Sequence, residues 1–300
     1  MFKSLNIGSK LVLSVAVSVI AAIAILITIL SFEVASYAEK EAKDTIFLSS
    51  KRYANYMEGV LNESVVLTKG ISASINEMFS KHDQVGADLI ESLLKNTFDS
   101  SGYAAYAFLY LKDPSVLSDT YNMDKKYKSQ NGNTFAMIFF DETTGKSGGI
   151  KAIQTPDNFS QLRIIQDIEK NARYGNRDTL FIGSPTKLNY DGTEFLGINF
   201  GMPIFNSKGN FIGVVGYSLD FLEISQAMLD PKLDFFEGDL RALTTDQGVI
   251  TIHKNKNAIL KTLTDINKDP SVKLITDLMI TKMHLLIIML HQREILAMQA

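Results

Sequence analysis

The chain has 300 residues, with 30 Lys and Arg, 33 Asp and Glu, and a formal net charge of −3. It contains no cysteine, which excludes disulfides, thiolate metal sites and a cysteine nucleophile. Because there is no basic surplus, we expect no nucleic acid among its partners.

The first predicted element is residues 11–32, which contain no charge, proline or glycine. At a helical rise of ~1.5 Å per residue, this segment can cross a bilayer core of about 30 Å. Lys3 and Lys10 precede it, and basic residues beside a span tend to stay in the cytoplasm. We therefore predict a cytoplasmic N-terminus at 1–10, a transmembrane helix at 11–32 and export of the remaining chain.

A cleaved signal peptide is the alternative for this segment. Signal peptides have an apolar region of about 7–15 residues followed by a small-residue cleavage site. The sequence Val-Ala-Ser-Tyr-Ala at 34–38 resembles such a site, but the apolar run is too long. A retained anchor is the favoured interpretation, and the chain beyond it is exported in either case.

Residues 33–80 are predicted to form a long stalk helix without proline. Gly59 and Gly70 each cost about 1 kcal/mol in a helix interior. Apolar residues recur at steps of three, four and seven, which is the periodicity of one apolar helical stripe. This stripe predicts a homodimer seam or, equally, packing on its own domain. Its members are Ile46, Tyr53, Met57, Val60, Leu67, Ile71, Ile75 and Met78.

From Gly102 onward, strand patterns alternate with turns. A helix is predicted at 86–98 and another at 158–174, and turn residues cluster at 141–149 and 207–210. These elements predict an α+β fold, an antiparallel sheet with helices on one face. Residues 226–300 begin a second unit of this kind, with a hairpin around Asp246-Gln247-Gly248, after which the strand signals disappear. The predicted strands are 103–111, 134–140, 179–183, 195–202, 211–219, 239–243 and 249–252.

The segment 171–221 carries a family resemblance. Its hairpin at 202–216 contains Met-Pro-Ile-Phe at its start, Lys208-Gly209 in its turn, and Ile-Gly-Val-Val-Gly at its end. This pattern resembles the double Cache (dCache) sensor domain of bacterial transmembrane receptors. The N-terminal sequence FKSLNIGSKLVLSVAVSV resembles that of methyl-accepting chemotaxis proteins with this sensor. The resemblance covers about residues 1–265.

The resemblance implies an α+β fold in which the transmembrane and stalk helices are followed by a PAS-like mixed or antiparallel sheet. Residues 81–225 would form a membrane-distal lobe that binds the ligand, and 226–300 an incomplete membrane-proximal lobe with an aberrant tail. Family receptors continue into a second span, a HAMP linker and a signalling coiled coil, which do not follow here. We therefore expect a truncated or frameshifted product, or a fragment.

The resemblance also implies a ligand site. In amino-acid-binding members, a basic residue and an aromatic pair hold the ligand carboxylate, and Arg173 and Tyr174 occupy that position. Tyr190 and Asp191 lie where a Tyr and an Asp hold the ammonium. The structural alternatives are a solvated helix face for Arg173, packing for Tyr174 and a plain Asp-Gly turn for Asp191.

Ser218 stands where the family has a final ammonium-binding Asp. A hydroxyl is a poor replacement for a buried carboxylate that faces a cation, which weakens the case for a plain α-amino acid. A carboxylate or less polar ligand, or recognition through a periplasmic binding protein, is then favoured. The expected partner is a carboxylate or amino-acid-like metabolite, or such a binding protein. Asp220 lies two residues further on the same strand face, so a register shift would restore an acid.

Other motifs do not point to chemistry. Gly145-Lys146-Ser147 lacks the earlier glycine of a phosphate-binding loop, because Phe140 stands there. No pair of the four histidines has the spacing of a helical zinc site, and no Gly-x-Ser-x-Gly motif occurs. We expect no cofactor, no metal and no enzymatic activity.

The favoured function is ligand sensing by a chemoreceptor in the bacterial inner membrane, with the sensor domain in the periplasm. Its expected partners are a small-molecule ligand, membrane lipid and a second copy of the chain. The sensor region of a histidine kinase or diguanylate cyclase is the first alternative, since these proteins share the domain. A membrane-anchored binding module without signalling is the second.

Overall fold

The computed structural model describes residues 6–118, 126–233, 241–245, 247–262 and 265. The chain forms two compact units, Met1–Glu58 and Gly59–Ala300. The predicted lobes at 81–225 and 226–300 both fall within the second unit. The predicted aberrant tail lies outside the described residues.

The first unit is helical from Ile7 and belongs to helix α1, Ile7–Lys81. Its large apolar side chains are exposed, including those of Leu11, Ile20 and Phe32. Within the described part of the chain, α1 is the one helix that is long and apolar enough to cross a membrane, by length and composition. The single long helix agrees with the predicted helical N-terminal region, and the membrane span at 11–32 stays a prediction.

In the second unit, α1 packs on its own domain. Val60, Ile71 and Ile75 of the predicted stripe are fully or almost fully buried. The helix continues through Gly59 and Gly70, where an added Cβ would meet no atom within 4 Å. This part of the stripe therefore follows the packing alternative.

The centre of the second unit is an antiparallel sheet in the order β5-β4-β2-β9-β8-β6, with β7 also paired to β8. Two small pairs lie outside it, β1 with β3 in parallel and β10 with β11 in antiparallel. The strands are β1 Val85–Gly86, β2 Ala104–Leu111, β3 Leu117–Ser118, β4 Phe135–Asp141, β5 Ile150–Ile153, β6 Phe181–Ile182, β7 Thr186–Asn189, β8 Glu194–Phe205, β9 Phe211–Asp220, β10 Ala242–Thr244 and β11 Ile250–His253.

The β8–β9 hairpin forms where the sequence predicts it. Its turn uses Gly209 at φ 76°, a conformation that glycine adopts without steric cost. The Asn206 side chain accepts hydrogen bonds from the amides of Lys208 and Asn210 at 3.0 and 2.9 Å. Local turn chemistry therefore sets the register of the two longest strands.

Helices cover both faces of the sheet, whereas the sequence predicted them on one face. Helix α2, Ala87–Asp99, packs on the face of Tyr217, whose ring centroid lies 6.1 Å from that of Phe98. Helix α3, Arg163–Asn171, packs on the other face, where Ile168 Cδ1 lies 2.8 Å from the position of a Cβ on Gly201. Since β8 and β9 are buried along both faces, each face needs its own covering layer.

The chain leaves the main sheet through helix α4, Phe221–Met228. The predicted second-unit hairpin is present as β10 and β11, although residues 239, 240 and 246 lie outside the described residues. Arg241 Nη1 donates a hydrogen bond of 2.6 Å to the carbonyl of Met228, which ties the end of α4 to the start of this hairpin.

Candidate functional site

A row of cross-strand partners brings together side chains from four strands. Phe140 on β4, Tyr106 on β2, Ser218 on β9 and Asn199 on β8 are paired in that order. Directly opposed residues in an antiparallel sheet point to the same face. The row therefore lies on the α3 face of the sheet, where Tyr106 belongs to the same apolar core as Ile164 and Ile168.

Tyr190 adds its phenol to the centre of this row. Its hydroxyl lies 2.9 Å from Asn199 Oδ1 and 3.0 Å from Ser218 Oγ. Tyr190 is 1% exposed and Ser218 is fully buried. Burial raises the pKa of Tyr190 above its usual value, so the phenol stays protonated and donates a hydrogen bond. We call Tyr190, Asn199 and Ser218 the buried polar triad.

Aromatic rings surround the buried polar triad. Tyr106 stacks on Phe195 with centroids 4.7 Å apart and meets Tyr190 edge-on at 5.0 Å. Phe159 meets Tyr190 at 5.4 Å, and Phe140 meets Tyr106 at 5.0 Å. The triad is thus a small polar centre in an apolar interior.

Carboxylates lie near one end of this aromatic cluster. Burial, followed by the charges of Asp191 and Asp220, raises the pKa of the Tyr106 phenol. Burial also raises the pKa of Asp220 and that of Glu223, which accepts a 2.9 Å hydrogen bond from Thr144 Oγ1. Three carboxyl groups, those of Asp191, Asp220 and Glu223, therefore lie close enough to this end of the cluster to act on Tyr106.

The predicted pair Arg173 and Tyr174 lies elsewhere, at the hairpin end of β8 and β9. Tyr174 packs edge-on against Phe205, 5.7 Å between centroids, and is 48% exposed. Phe205 pairs with Phe211, seven residues before Ser218 on β9. At a strand rise of about 3.3 Å per residue, roughly 20 Å separates the Phe205–Phe211 pair from Ser218.

Arg173 uses its side chain locally. Its Nη1 donates to the carbonyls of Lys170 and Ala172 at 2.9 and 2.7 Å. A guanidinium there complements the carbonyl end of α3. Asp191 is also exposed, and its Oδ1 accepts a 2.9 Å hydrogen bond from the Thr193 amide in the β7–β8 turn.

The structure thus brings Tyr190 and Ser218 together and leaves Arg173 and Tyr174 apart from them. Sequence reasoning missed Tyr106, Phe195 and Asn199. Asn199 carried a usable signal, because asparagine is disfavoured inside an apolar strand unless its amide has a role. Tyr106 carried none, since it lies among similar aromatic residues in β2.

Other sequence motifs have local roles. Lys146 closes a turn through its amide to the Thr143 carbonyl at 2.9 Å, and Ser147 Oγ donates to Asp99 Oδ2 at 3.0 Å. In the described ranges, no group of three or more His, Asp or Glu side chains is arranged to hold a metal ion.

Comparison with known proteins identifies the family. Residues 90–226 match the model of the methyl-accepting chemotaxis protein-like first PDC sensor domain. The periplasmic sensory domain of the Campylobacter jejuni chemoreceptor Tlp1 is 37% identical, with a TM-score of 0.66, and the match covers 77% of this chain and 81% of that one. The chain belongs to the chemoreceptor sensor family. It contains a ligand-sensing domain of α+β fold, as the sequence predicted.

Other solved structures share the fold of this sensor domain at low identity. Methyl-accepting chemotaxis protein X is 14% identical with a TM-score of 0.53, covering 79% of this chain and 83% of that one. The extracellular domain of histidine kinase soHK1S-Z6 is 15% identical with a TM-score of 0.54, covering 80% and 81%. No curated protein sequence matches the chain.

Proposed function

We propose that the sensor domain binds a small metabolite at the buried polar triad, on the α3 face of the sheet. The observation that carries this proposal is the triad itself. Tyr190, Asn199 and Ser218 meet through two hydrogen bonds inside an aromatic interior. Small-molecule sites have this composition, mostly apolar walls with a few placed polar groups.

The charges around the triad suggest which part of the ligand faces it. After burial, the groups that raise the pKa of Tyr106 include the carboxylates of Asp191, Asp220 and Glu223. They favour an amino-acid-like metabolite whose cationic end lies here. A small metabolite cannot also reach Arg173, roughly 20 Å away along the strands.

Binding at the triad requires a local rearrangement. Ser218 is fully buried, and Ile164 and Ile168 of α3 lie over the sheet at Gly201. A ligand that displaces these side chains selects a different arrangement of α3 relative to the sheet. That displacement is the conformational signal that a receptor needs.

The proposed setting is the bacterial inner membrane, with residues 11–32 in contact with lipid and the sensor domain in the periplasm. We propose a homodimer through the outward face of α1, where Gly59, Val66, Gly70 and Ala73 are exposed. We propose a binding role rather than a nucleophilic one for Ser218, because it is hydrogen-bonded to the phenol of Tyr190 and not to a base.

The exposed surface at the hairpin end supports a second candidate, recognition of a periplasmic binding protein. Arg177 lies over the Tyr174 ring at 5.1 Å and donates to its hydroxyl at 3.0 Å. Arg173 lies next to this pair and is exposed. An exposed aromatic residue with arginines suits a protein partner better than a buried metabolite.

Thermal-shift screening of the detergent-solubilised full chain tests the first proposal, with amino acids, amines and organic acids as probes. We expect a stabilising probe whose effect is lost in Tyr190→Phe and Ser218→Ala. Arg173→Ala should retain the shift, and Tyr217→Phe on the opposite face is the matched control. A shift lost in Arg173→Ala and retained in Tyr190→Phe would transfer the site to the hairpin end.

A further inference from the structure

Glu63 on α1 holds the turn that connects α2 to β2. Its Oε1 accepts hydrogen bonds from the Gly102 amide at 2.6 Å and from Ser101 Oγ at 3.0 Å. Hydrogen bonds to an ionised carboxylate are stronger than neutral ones. A side chain of α1 is thus hydrogen-bonded to the side chain of Ser101 and to the backbone of Gly102, which lie 38 and 39 residues further along the chain.

The Glu63 contact continues into the first amides of β2. Ser101 is buried, and its Oγ accepts from the Ala104 amide at 2.9 Å and the Tyr103 amide at 3.2 Å. The fit at Gly102 is tight, since a Cβ there would lie 3.3 Å from Glu63 Oε2. Carboxylate, hydroxyl and strand start therefore form one connected network.

The same strand start carries Tyr106. The β2–β9 register shifts between Ala104 and Tyr106, so the strand is irregular just before the site. Tyr106 then pairs with Ser218 and contacts the Tyr190 ring. Only a short, irregular stretch of chain separates Tyr106 from the Glu63 network. A displacement of Tyr106 would therefore shift the residues that bond Glu63.

Other polar side chains of α1 in the second unit do not make this connection. Ser64 and Thr68 are buried but donate to carbonyls of their own helix. Asn76 is hydrogen-bonded to the sheet. Its side-chain amide donates to the Pro203 carbonyl at 3.0 Å, and its Oδ1 accepts from the Phe205 amide at 2.9 Å. That attachment lies at the hairpin end, away from the buried polar triad, and makes Asn76 a matched control.

We propose that Glu63 is the positioning residue that couples the buried polar triad to α1. A change at the triad moves Tyr106 and the start of β2, and the Glu63 carboxylate transfers the movement to the helix. The coupling serves the proposed ligand site, so it rests on the proposed function. Asn76 holds α1 at the other end and does not transmit the change.

A double-mutant cycle that needs no ligand tests this coupling in the detergent-solubilised full chain. Tyr190→Phe perturbs the triad, and hydrogen exchange of α1 amides 60–68 reports on the helix. We expect Tyr190→Phe to raise their exchange by about threefold. Glu63→Ala should abolish that response, whereas Asn76→Ala should leave it unchanged.

An equal response with and without Glu63, or no response in the parent chain, overturns the proposal. If Glu63→Ala does not give a cooperative unfolding transition, Glu63→Gln replaces it and should weaken the response. A purely structural Glu63 would change the baseline exchange but not the response to Tyr190→Phe. If no probe raises the melting temperature in the thermal-shift screen, this cycle still gives a result. The two proposals therefore fail separately.

Discussion

Two neighbouring residues on β9 show how differently the two faces of the sheet use a polar group. Ser218 points to the α3 face, where its hydroxyl meets Tyr190 and Asn199 is its strand partner. Tyr217 points to the α2 face, and its buried hydroxyl has no hydrogen-bond partner among the described residues. The α2 face is thus a packing layer, whereas the α3 face carries the polar groups for which we propose ligand binding.

The largest expected effect comes from adding a methyl group at Gly216 on β9, which lies close against β8. In Gly216→Ala, the new Cβ would lie 2.0 Å from the Phe200 carbonyl oxygen and 2.7 Å from the Phe108 ring. The strands must shift, and we expect a loss of about 3 kcal/mol in the free energy of unfolding. Urea denaturation measures it. Gly175→Ala, where an added Cβ would meet no atom within 4 Å, should instead gain about 0.5–1 kcal/mol.

The next prediction compares the two faces directly. Tyr190→Phe removes a hydroxyl that is hydrogen-bonded to Asn199 and Ser218. The buried polar atoms of these two residues then lose that hydrogen-bond partner. We expect a cost of about 1–3 kcal/mol. Tyr217→Phe removes a hydroxyl without a partner among the described residues and should change stability by less than about 0.5 kcal/mol. If denaturant titrations gave the same loss of unfolding free energy for both variants, the proposed difference between the two faces would be wrong.

A smaller effect concerns the carboxylates beside the α3 face. Burial raises the pKa of Asp220 and Glu223 in the folded state. The folded chain therefore binds these protons more tightly than the unfolded chain. Their contribution to the stability of the fold is greatest below the pKa values of the unfolded chain. It is lost as pH rises through the raised pKa values of the folded chain.

The double variant Asp220→Asn with Glu223→Gln tests this sign. It keeps the acceptor atoms that bond the Leu222 amide and Thr144. Its melting temperature should exceed that of the parent at pH 7, and the difference should shrink as pH falls toward 4. A variant that is less stable than the parent at pH 7 would contradict the prediction.

The smallest effect is expected for Arg173→Ala. The guanidinium is exposed and bonds two carbonyls at the end of α3, so its loss should cost about 0.5 kcal/mol. Thermal denaturation at low and high salt measures it. A loss as large as that of Tyr190→Phe would mean that Arg173 supports the α3 face more directly than its contacts suggest.

The elements that the sequence predicted well have strong local signals. The β8–β9 hairpin follows from its turn residues, and β2 from its run of aromatic and apolar side chains. The short strands β5 and β7 were missed, because four residues with mixed burial carry no clear alternation. They exist because longer neighbours, β4 and β8, provide the hydrogen bonds.

The sequence by itself determined the apolar anchor, the long helix, the main strands and the α+β class, because each depends on residues that are close along the chain. Only the tertiary structure decided which polar groups meet. Tyr190 and Ser218 lie 28 positions apart and are joined by strand register, whereas Arg173 is held at the other end of the same strands. Spacing along a chain does not measure distance across a sheet, so the proposed site became visible only once the strands were paired.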